Sequence, residues 1–275
     1  MKPVNFDYAR PKDVEASLSL LADDDRSVKV VAGSQSLGPM LNMRLVQPDL
    51  LVDVTGIDEL RQAEEDAEGV VIGACITHAD IEDGRVPDVT GGALPGVAHG
   101  IAYRAVRNRG TIGGSLTHAD PSADWISMLA ALGASVTLRG PRGARTIPVE
   151  DYMLGALEAD LRHGELLVSV KTPRLGRSGR WGYYKICRKT GEFAHAIGAF
   201  VVDPARDVCR AVIGATETRP IVIADARSIV ADGAPERFNS QAADELATSA
   251  GMNDPLERQT HIVALRRAVE RATGR

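Results

Sequence analysis

Cysteine is scarce in this chain of 275 residues, and its pattern excludes several classes at once. Cys75, Cys187 and Cys209 are odd in number and form no C-x-x-C pair. A disulfide framework is therefore not expected, and a self-contained iron–sulfur cluster or a four-cysteine zinc site is excluded by count. Positive charge is also short: the net charge is −5 and the pI about 5.7, which argues against a general nucleic-acid-binding face. No apolar run approaches the roughly 20 residues that would span a bilayer. The opening MKPVNFDYARPKD has no apolar signal core, so no secretion signal is expected and the expected location is the cytoplasm. What is present is the balance of an ordinary globular protein, 44% hydrophobic and 25% charged, with length for one large domain or two to three modest ones.

The common nucleotide signatures are missing as well. In VAGSQSLG, residues 31–38, Gly33 and Gly38 have P-loop spacing, but Pro39 and Met40 stand where the lysine and hydroxyl belong. Gln35 breaks a G-x-G-x-x-G fingerprint. Yet a strand-like stretch carrying Val28, Val30 and Val31 ends here in small residues and hydroxyls. A second such place is RNRGTIGGSLTHADPSAD, residues 107–124, where Gly110, Gly113 and Gly114 permit close backbone approach and Thr111 and Ser115 add hydroxyls. Two loops lined with N–H groups, 32–37 and 111–115, would hold a diphosphate by main chain from both sides without a lysine. Each loop taken singly also reads as a tight turn. The tetrapeptide THAD occurs twice, at 77–80 and 117–120, and reads either as helix N-cap chemistry or as a His/Asp metal pair.

Periodicity predicts a helix over 13–22 and short strands at 28–31, 50–54 and 70–72. It predicts a helix over 90–106, a break at 107–118, and a helix capped by Asp120 with Pro121 at its first position and a Trp125, Met128, Leu129, Leu132 stripe. Strands are expected at 134–138, 165–172, 181–187, 196–202 and 208–214, and helices at 223–232, 239–249 and 255–272. The basic, turn-rich PRLGRSGRWG at 173–182 marks the best boundary, and strands followed by helices beyond it imply a small α+β domain.

Taken together, the two loops resemble those of the FAD-binding medium subunit of the molybdenum hydroxylases, the family of carbon monoxide, nicotine and caffeine dehydrogenases and of the flavin segment of xanthine dehydrogenase. MKPVNFDYARPKDVEASLSLLA resembles the family's opening, and VAGSQSLGPMLNMRLVQPDLLVDVTGIDEL its first flavin loop. NRGTIGGSLTHADPSADW resembles the second loop, and GELLVSVKTP and YYKICRKTGEFAHAIGA the segments flanking the isoalloxazine. The resemblance implies an α+β fold: a vanillyl-alcohol-oxidase (PCMH) type FAD-binding domain over 1–175, with subdomains of about 1–55 and 56–175, and a C-terminal α+β domain over 176–275. It implies diphosphate contacts from Ala32, Gly33, Ser34, Gln35, Ser36 and Leu37 and from Thr111, Ile112, Gly113, Gly114 and Ser115. Asp124 is expected near the adenosine, and Leu167, Lys185 and Ile101 beside the flavin. Phe193 occupies a place where relatives put a tyrosine against the ring; core packing is the competing reading. His195 reads as a ring-edge or a surface residue. Two departures stand out: Ser34 replaces the second of two glycines, and Tyr103-Arg104 precedes the second loop where an Asp-Pro or similar pair is usual.

The implied function is electron transfer. A large molybdenum–pterin subunit would oxidise the organic substrate, a small subunit with two [2Fe–2S] clusters would pass electrons on, and this chain would deliver them from FAD to an external acceptor, in a dimer of heterotrimers. No side chain need act as a general base, and no metal ligands are expected on this chain. Two alternatives stay open: a stand-alone flavin oxidase with its own small substrate, and a flavin-free assembly subunit. A partner-facing surface is expected to include the apolar residues flanking the second loop and the part of the C-terminal domain where Trp181, Tyr183 and Tyr184 cluster; for these alternating aromatics, core packing is the competing and commoner reading.

Overall fold

The computed structural model describes residues 2–230 and 238–273 and is of the α+β class. The first layer is a small parallel sheet with β1 (Asp7–Ala9), helix α1 (Val14–Leu21), β2 (Val28–Val31), helix α2 (Leu37–Asn42) and β3 (Leu50–Asp53), in the order β1-β3-β2. Asp13 starts α1 by accepting from the Ala16 N–H, and Val14, Leu18 and Leu21 face Leu50, Val52 and Val54 in one apolar cluster. Burial on one helical stripe and on a β-branched strand is what the spacing of these residues predicts.

The second layer contains β4 (Ala63–Glu65), β5 (Gly69–Gly73), α3 (His78–Glu82), α4 (Ala93–Gly100), α5 (Arg104–Arg107), α6 (Ile112–His118) and α7 (Asp124–Leu132). It continues through β6 (Ser135–Gly140), β7 (Gly143–Pro148), α8 (Val149–Tyr152), β8 (Met153–Gly155), β9 (Glu158–Ala159) and β10 (Leu166–Pro173). Its five-stranded antiparallel sheet has the order β4-β5-β10-β6-β7, so the long β10 returns to lie between β5 and β6.

The third layer is an antiparallel sheet of β11 (Arg180–Ile186), β12 (Ala196–Asp203), β13 (Val208–Gly214) and β14 (Ile221–Ile223), covered by α9 (Ser240–Ser249) and α10 (Pro255–Ala272). The helix α10 lies on the strands through small residues. A Cβ at Gly182 would sit 1.8 Å from the Ala268 carbonyl oxygen, and one at Gly198 would sit 2.4 Å from that of Ala264. The largest apolar core is shared: Tyr183, Ile197, Ala199, Val201 and Val212 join the cluster of Ile72, Leu94, Trp125, Leu129 and Val170.

Four sequence expectations are corrected here. The helix expected over 90–106 is two helices, parted at 101–103, where Ala102 takes a left-handed φ of 41°. The break expected at 107–118 is shorter, because Thr111 caps α6 by accepting from the Gly114 N–H and residues 112–118 are helical. Asp120 does not cap α7; it accepts from the Ser122 N–H in a turn, and the helix begins at Asp124 after Ala123. In place of the helix at 223–232 stand the end of β14 and a short 3-10 turn over Ala226–Ser228; residues 231 and 232 lie outside the described residues.

The first THAD is helix capping: Thr77 accepts from the Asp80 N–H and the Asp80 carboxylate accepts from the Thr77 N–H. Among the described residues no three His, Cys, Asp or Glu side chains converge as metal ligands.

Candidate functional site

The two glycine-bearing segments meet. A Cβ on Gly33 would lie 2.1 Å from the Arg109 carbonyl oxygen and 2.6 Å from Gly110 Cα, so only glycine lets the first loop touch the second. The second segment is pressed inward in turn. A Cβ on Gly110 would meet His78 Nε2 at 2.8 Å, and one on Gly113 would meet the Ala74 Cβ at 2.5 Å. None of Gly110, Gly113 and Gly114 has a positive φ, so their role is packing space, not conformational freedom.

Beside this junction runs a cavity of about 930 Å³. Its walls include Ala32, Gly33, Ser34, Gln35, Ser36, Leu37, Ile101, Thr111, Gly113, Gly114, Ser115, Asp124, Leu167 and Phe193. The sequence therefore brings together residues from three layers. Ile112 is the exception among the loop residues: it is fully buried in the main core and does not line this cavity. Lys185 does not line the cavity either, but it contacts Asp124, which does.

The two loops differ in what they offer. Among the described residues, the main-chain N–H groups of Gly33, Ser34, Gln35, Ser36 and Leu37 have no protein acceptor. Consecutive free N–H groups of this kind form a concave anion site. The second loop is largely spent. The N–H of Ile112 donates to Ile76 O (3.0 Å), that of Gly113 to Ala74 O (3.0 Å), that of Gly114 to Thr111 Oγ1 (3.1 Å), and that of Ser115 to Thr111 O (3.0 Å). The expectation of matching N–H donors from both loops is therefore corrected. The second loop brings one N–H unpaired among the described residues, that of Thr111, with the Ser115 hydroxyl and a wall of small residues, while the first brings most of the donors.

Ser34 occupies the departure from the double glycine with a left-handed φ of 59°. Its hydroxyl turns back over α2: a Cβ built on Gly38 would meet Ser34 Oγ at 3.0 Å. The second departure is tied down on both sides. Arg104 pairs with Asp83 (2.6 Å) and Glu82 (2.8 Å), and a Cβ on Gly191 would meet the Tyr103 ring at 2.9 Å.

At one end of the cavity, Lys185 Nζ donates to Asp124 Oδ1 (2.9 Å) and to Gly100 O (2.8 Å), and Tyr183 Oη donates to Asp124 Oδ1 (2.8 Å). Burial pushes the Asp124 carboxyl up, opposed by Lys185 and the two hydrogen bonds; burial likewise raises Tyr183. Asp124, expected near the adenosine, and Lys185, expected beside the flavin, are in direct contact, and Lys185 also reaches the carbonyl of Gly100, the residue before Ile101. Phe193 is exposed on the cavity rim and is not a core aromatic, and His195 is exposed. Behind the second segment, Trp125 Nε1 donates to His78 Nδ1 (3.0 Å), and burial holds that imidazole down at about 4, hence neutral. Cys75 also lines the cavity, with burial pushing its thiol up to about 12.

The aromatic trio is not a free surface. Tyr183 is buried, Trp181 donates to Gly91 O (2.8 Å) and packs on Gly96, and Tyr184 lies under the Arg271 guanidinium. Tyr183 is thus core, the competing reading for this strand, while Trp181 and Tyr184 pack on other elements of the same chain and stay half-buried. Sequence reasoning also missed Glu82, Arg107 and the Gly100 carbonyl, whose partners lie far away along the chain.

A cavity of this volume, with unpaired main-chain N–H groups in one wall and Ile101, Leu167 and Phe193 elsewhere, suits a ligand that is part diphosphate and part flat ring. That defines a dinucleotide-cofactor protein of the α+β class. Residues 4–175 match the family model described as the FAD binding domain in molybdopterin dehydrogenase. The carbon monoxide dehydrogenase medium chain of Hydrogenophaga pseudoflava is 37% identical over 202 residues, 74% of this chain and 70% of that one. The corresponding medium chain of Afipia carboxidovorans is 34% identical over 290 residues, covering 100% and 99%. Among solved structures, carbon monoxide dehydrogenase from Hydrogenophaga pseudoflava superposes with a TM-score of 0.85 at 30% identity, covering 99% of both chains. The chain belongs to the FAD-binding medium subunits of the molybdenum hydroxylases and is an FAD-dependent oxidoreductase subunit.

Proposed function

We propose that this chain is the electron-transfer subunit of a three-subunit molybdenum hydroxylase, receiving electrons from the [2Fe–2S] clusters of a small partner and passing them to an external acceptor. A large molybdenum–pterin partner oxidises the organic substrate, and the assembly is a dimer of heterotrimers. The observation that carries this reading is the pairing of five free N–H groups at 33–37 with a cavity of about 930 Å³ whose other walls are largely apolar. Neither a flavin-free scaffold nor a simple turn needs such a row of donors left unused.

When bound, FAD supplies the redox chemistry, taking electrons singly and releasing them singly or in pairs. The chain's residues bind and orient it. Main chain at 33–37 and the Ser115 hydroxyl hold the diphosphate, with Ala32, Thr111, Gly113 and Gly114 shaping the wall and Ile112 anchoring that wall in the core. Ile101 and Leu167 form the apolar bed of the ring, Phe193 covers it from the rim, and Asp124 with Lys185 stands at the same end. Residues 1–175 form the PCMH-type domain, divided near 55, and 176–275 the C-terminal domain that closes the ring end. No helix among the described residues is long and apolar enough to cross a membrane.

The test is co-expression with the genes of the neighbouring subunits. A stable complex should form, and the chemically reduced small subunit should bleach this chain's flavin. If the isolated chain's flavin is instead reduced directly by an organic substrate, the oxidase reading replaces this one.

A further inference from the structure

Arg107 carries a guanidinium and is only 8% exposed, and it is not among the residues that line the cavity. Its guanidinium makes four hydrogen bonds. Nε donates to Glu82 Oε2 (2.7 Å), Nη2 to Glu82 Oε1 (3.0 Å), and Nη1 to both Ile101 O (2.9 Å) and Ala102 O (3.2 Å). Glu82 is itself fixed, because Arg104 (2.8 Å) and His99 Nδ1 (2.9 Å) share its carboxylate. One residue earlier, Gly100 O accepts from Lys185. Three consecutive carbonyls, 100 to 102, are thus each claimed by a cation.

This matters because the same segment is strained and borders the cavity. Ala102 has a φ of 41°, a conformation that a residue with a Cβ keeps only when its surroundings hold it there. Ile101, Ala102 and Tyr103 all line the cavity, and among the described residues the N–H groups of Ala102 and Tyr103 have no acceptor. The carbonyls are drawn off to Arg107 and Lys185, while donors are left in a segment that faces the ligand space.

We propose that Arg107, braced by Glu82, is a positioning residue that holds segment 101–103 so that its free N–H groups meet the polar edge of the bound flavin, and so sets both FAD affinity and flavin potential. The inference rests on the FAD-holding role proposed for this cavity. Reduction places added negative charge on the flavin, and donors held toward it favour the reduced form.

The experiment uses the purified full chain, titrated with FAD by fluorescence quenching, with its potential measured by dye equilibration. Arg107→Met should still fold but bind FAD about tenfold to a hundredfold more weakly, the loss of charge-assisted hydrogen bonds. Its potential should fall by roughly 30 mV for each tenfold difference in affinity between oxidised and reduced FAD, the two-electron conversion. Arg107→Lys should fall between Met and wild type, and Arg139→Met, at a surface pair with Glu15 and Glu59, should change neither readout. If Arg107→Met fails to fold, Glu82→Gln decides on the same two readouts. Wild-type affinity and potential in the variant that folds would overturn the inference while leaving the FAD reading intact. A wild-type chain that binds no FAD would overturn both.

Discussion

Replacing Gly33 by alanine adds a single methyl group, and the structure says where it goes. That Cβ would lie 2.1 Å from the Arg109 carbonyl oxygen, whereas real Cβ contacts essentially stop at 3.0 Å. The two loops must separate by about 0.9 Å, the difference between those distances, and both obstacles are backbone, so no side chain can turn aside. Overpacking of this size costs about 1–3 kcal/mol. Without ligand, the variant relieves the strain by letting the first loop drift from the second. Binding FAD requires the free N–H groups at 33–37 and the wall at 111–115 to face one diphosphate again, so the cost appears in affinity. At 1.4 kcal/mol per decade, that is a weakening of about 5-fold to 150-fold. The assay is quenching of FAD fluorescence by the apoprotein, with a thermal melt of the apoprotein beside it. Gly38→Ala is the control: its Cβ would meet only the Ser34 hydroxyl at 3.0 Å, which can rotate, so affinity should stay within twofold of wild type. Wild-type affinity in Gly33→Ala, with an unchanged melt, would refute the claim that contact between the loops shapes the site.

Because burial holds His78 near 4 against an unfolded value of 6.5, its contribution is fully present above pH 6.5 and is lost as pH falls toward 4, amounting to about 3 kcal/mol. Urea unfolding at pH 7 and pH 4.5 should show that loss in the wild type, and a flatter profile in His78→Gln. Asp124→Ala should cost about 3–5 kcal/mol by leaving the Lys185 ammonium buried without its carboxylate, and Lys185→Met in the same chain should recover part of it, as read from denaturant midpoints. Phe193→Ala should leave the apoprotein melt unchanged, because the ring is 68% exposed, yet shift the absorption spectrum of bound flavin. Acid precipitation should release all the yellow colour, since no His or Cys lies within the loops 32–37 and 111–115 and the cavity's Cys75 is held as a neutral thiol; flavin left on the denatured chain would contradict this.

The sequence made the local parts of this molecule legible. Helix α1, the strands β2, β3 and β5, and the strand-then-helix order of the third layer follow from residue spacing and turn residues that act over a few positions. The site's outline was legible for the same reason, since small residues and hydroxyls cluster at 32–37 and 111–115. What escaped depends on partners distant in the chain. Nothing near Arg107 marks Glu82 as its acceptor, and nothing near Asp124 marks Lys185, 61 positions on. The sequence leaves Trp181, Tyr183 and Tyr184 open between a partner surface and core packing, and their surroundings are set by α10 and α4, which lie against β11. Gly33 is expected at the diphosphate, and nothing near it in the sequence shows that the backbone of Arg109 and Gly110 lies against it.

That contact between the loops bears on how the site works. If both loops supplied equivalent N–H groups, losing one would leave half the electrostatic hold. The structure distributes the tasks unequally. In α6, the N–H groups of Ile112, Gly113, Gly114 and Ser115 are committed to Ile76, Ala74 and Thr111, so they stiffen the wall and cannot also turn to a ligand. On the proposed reading, the negative charge of the diphosphate is met chiefly by the main chain at 33–37, a segment packed against Arg109 and Gly110. A rigid second loop and a donor-rich first loop registered against it form one device. Its weak point is the place where the two backbones touch.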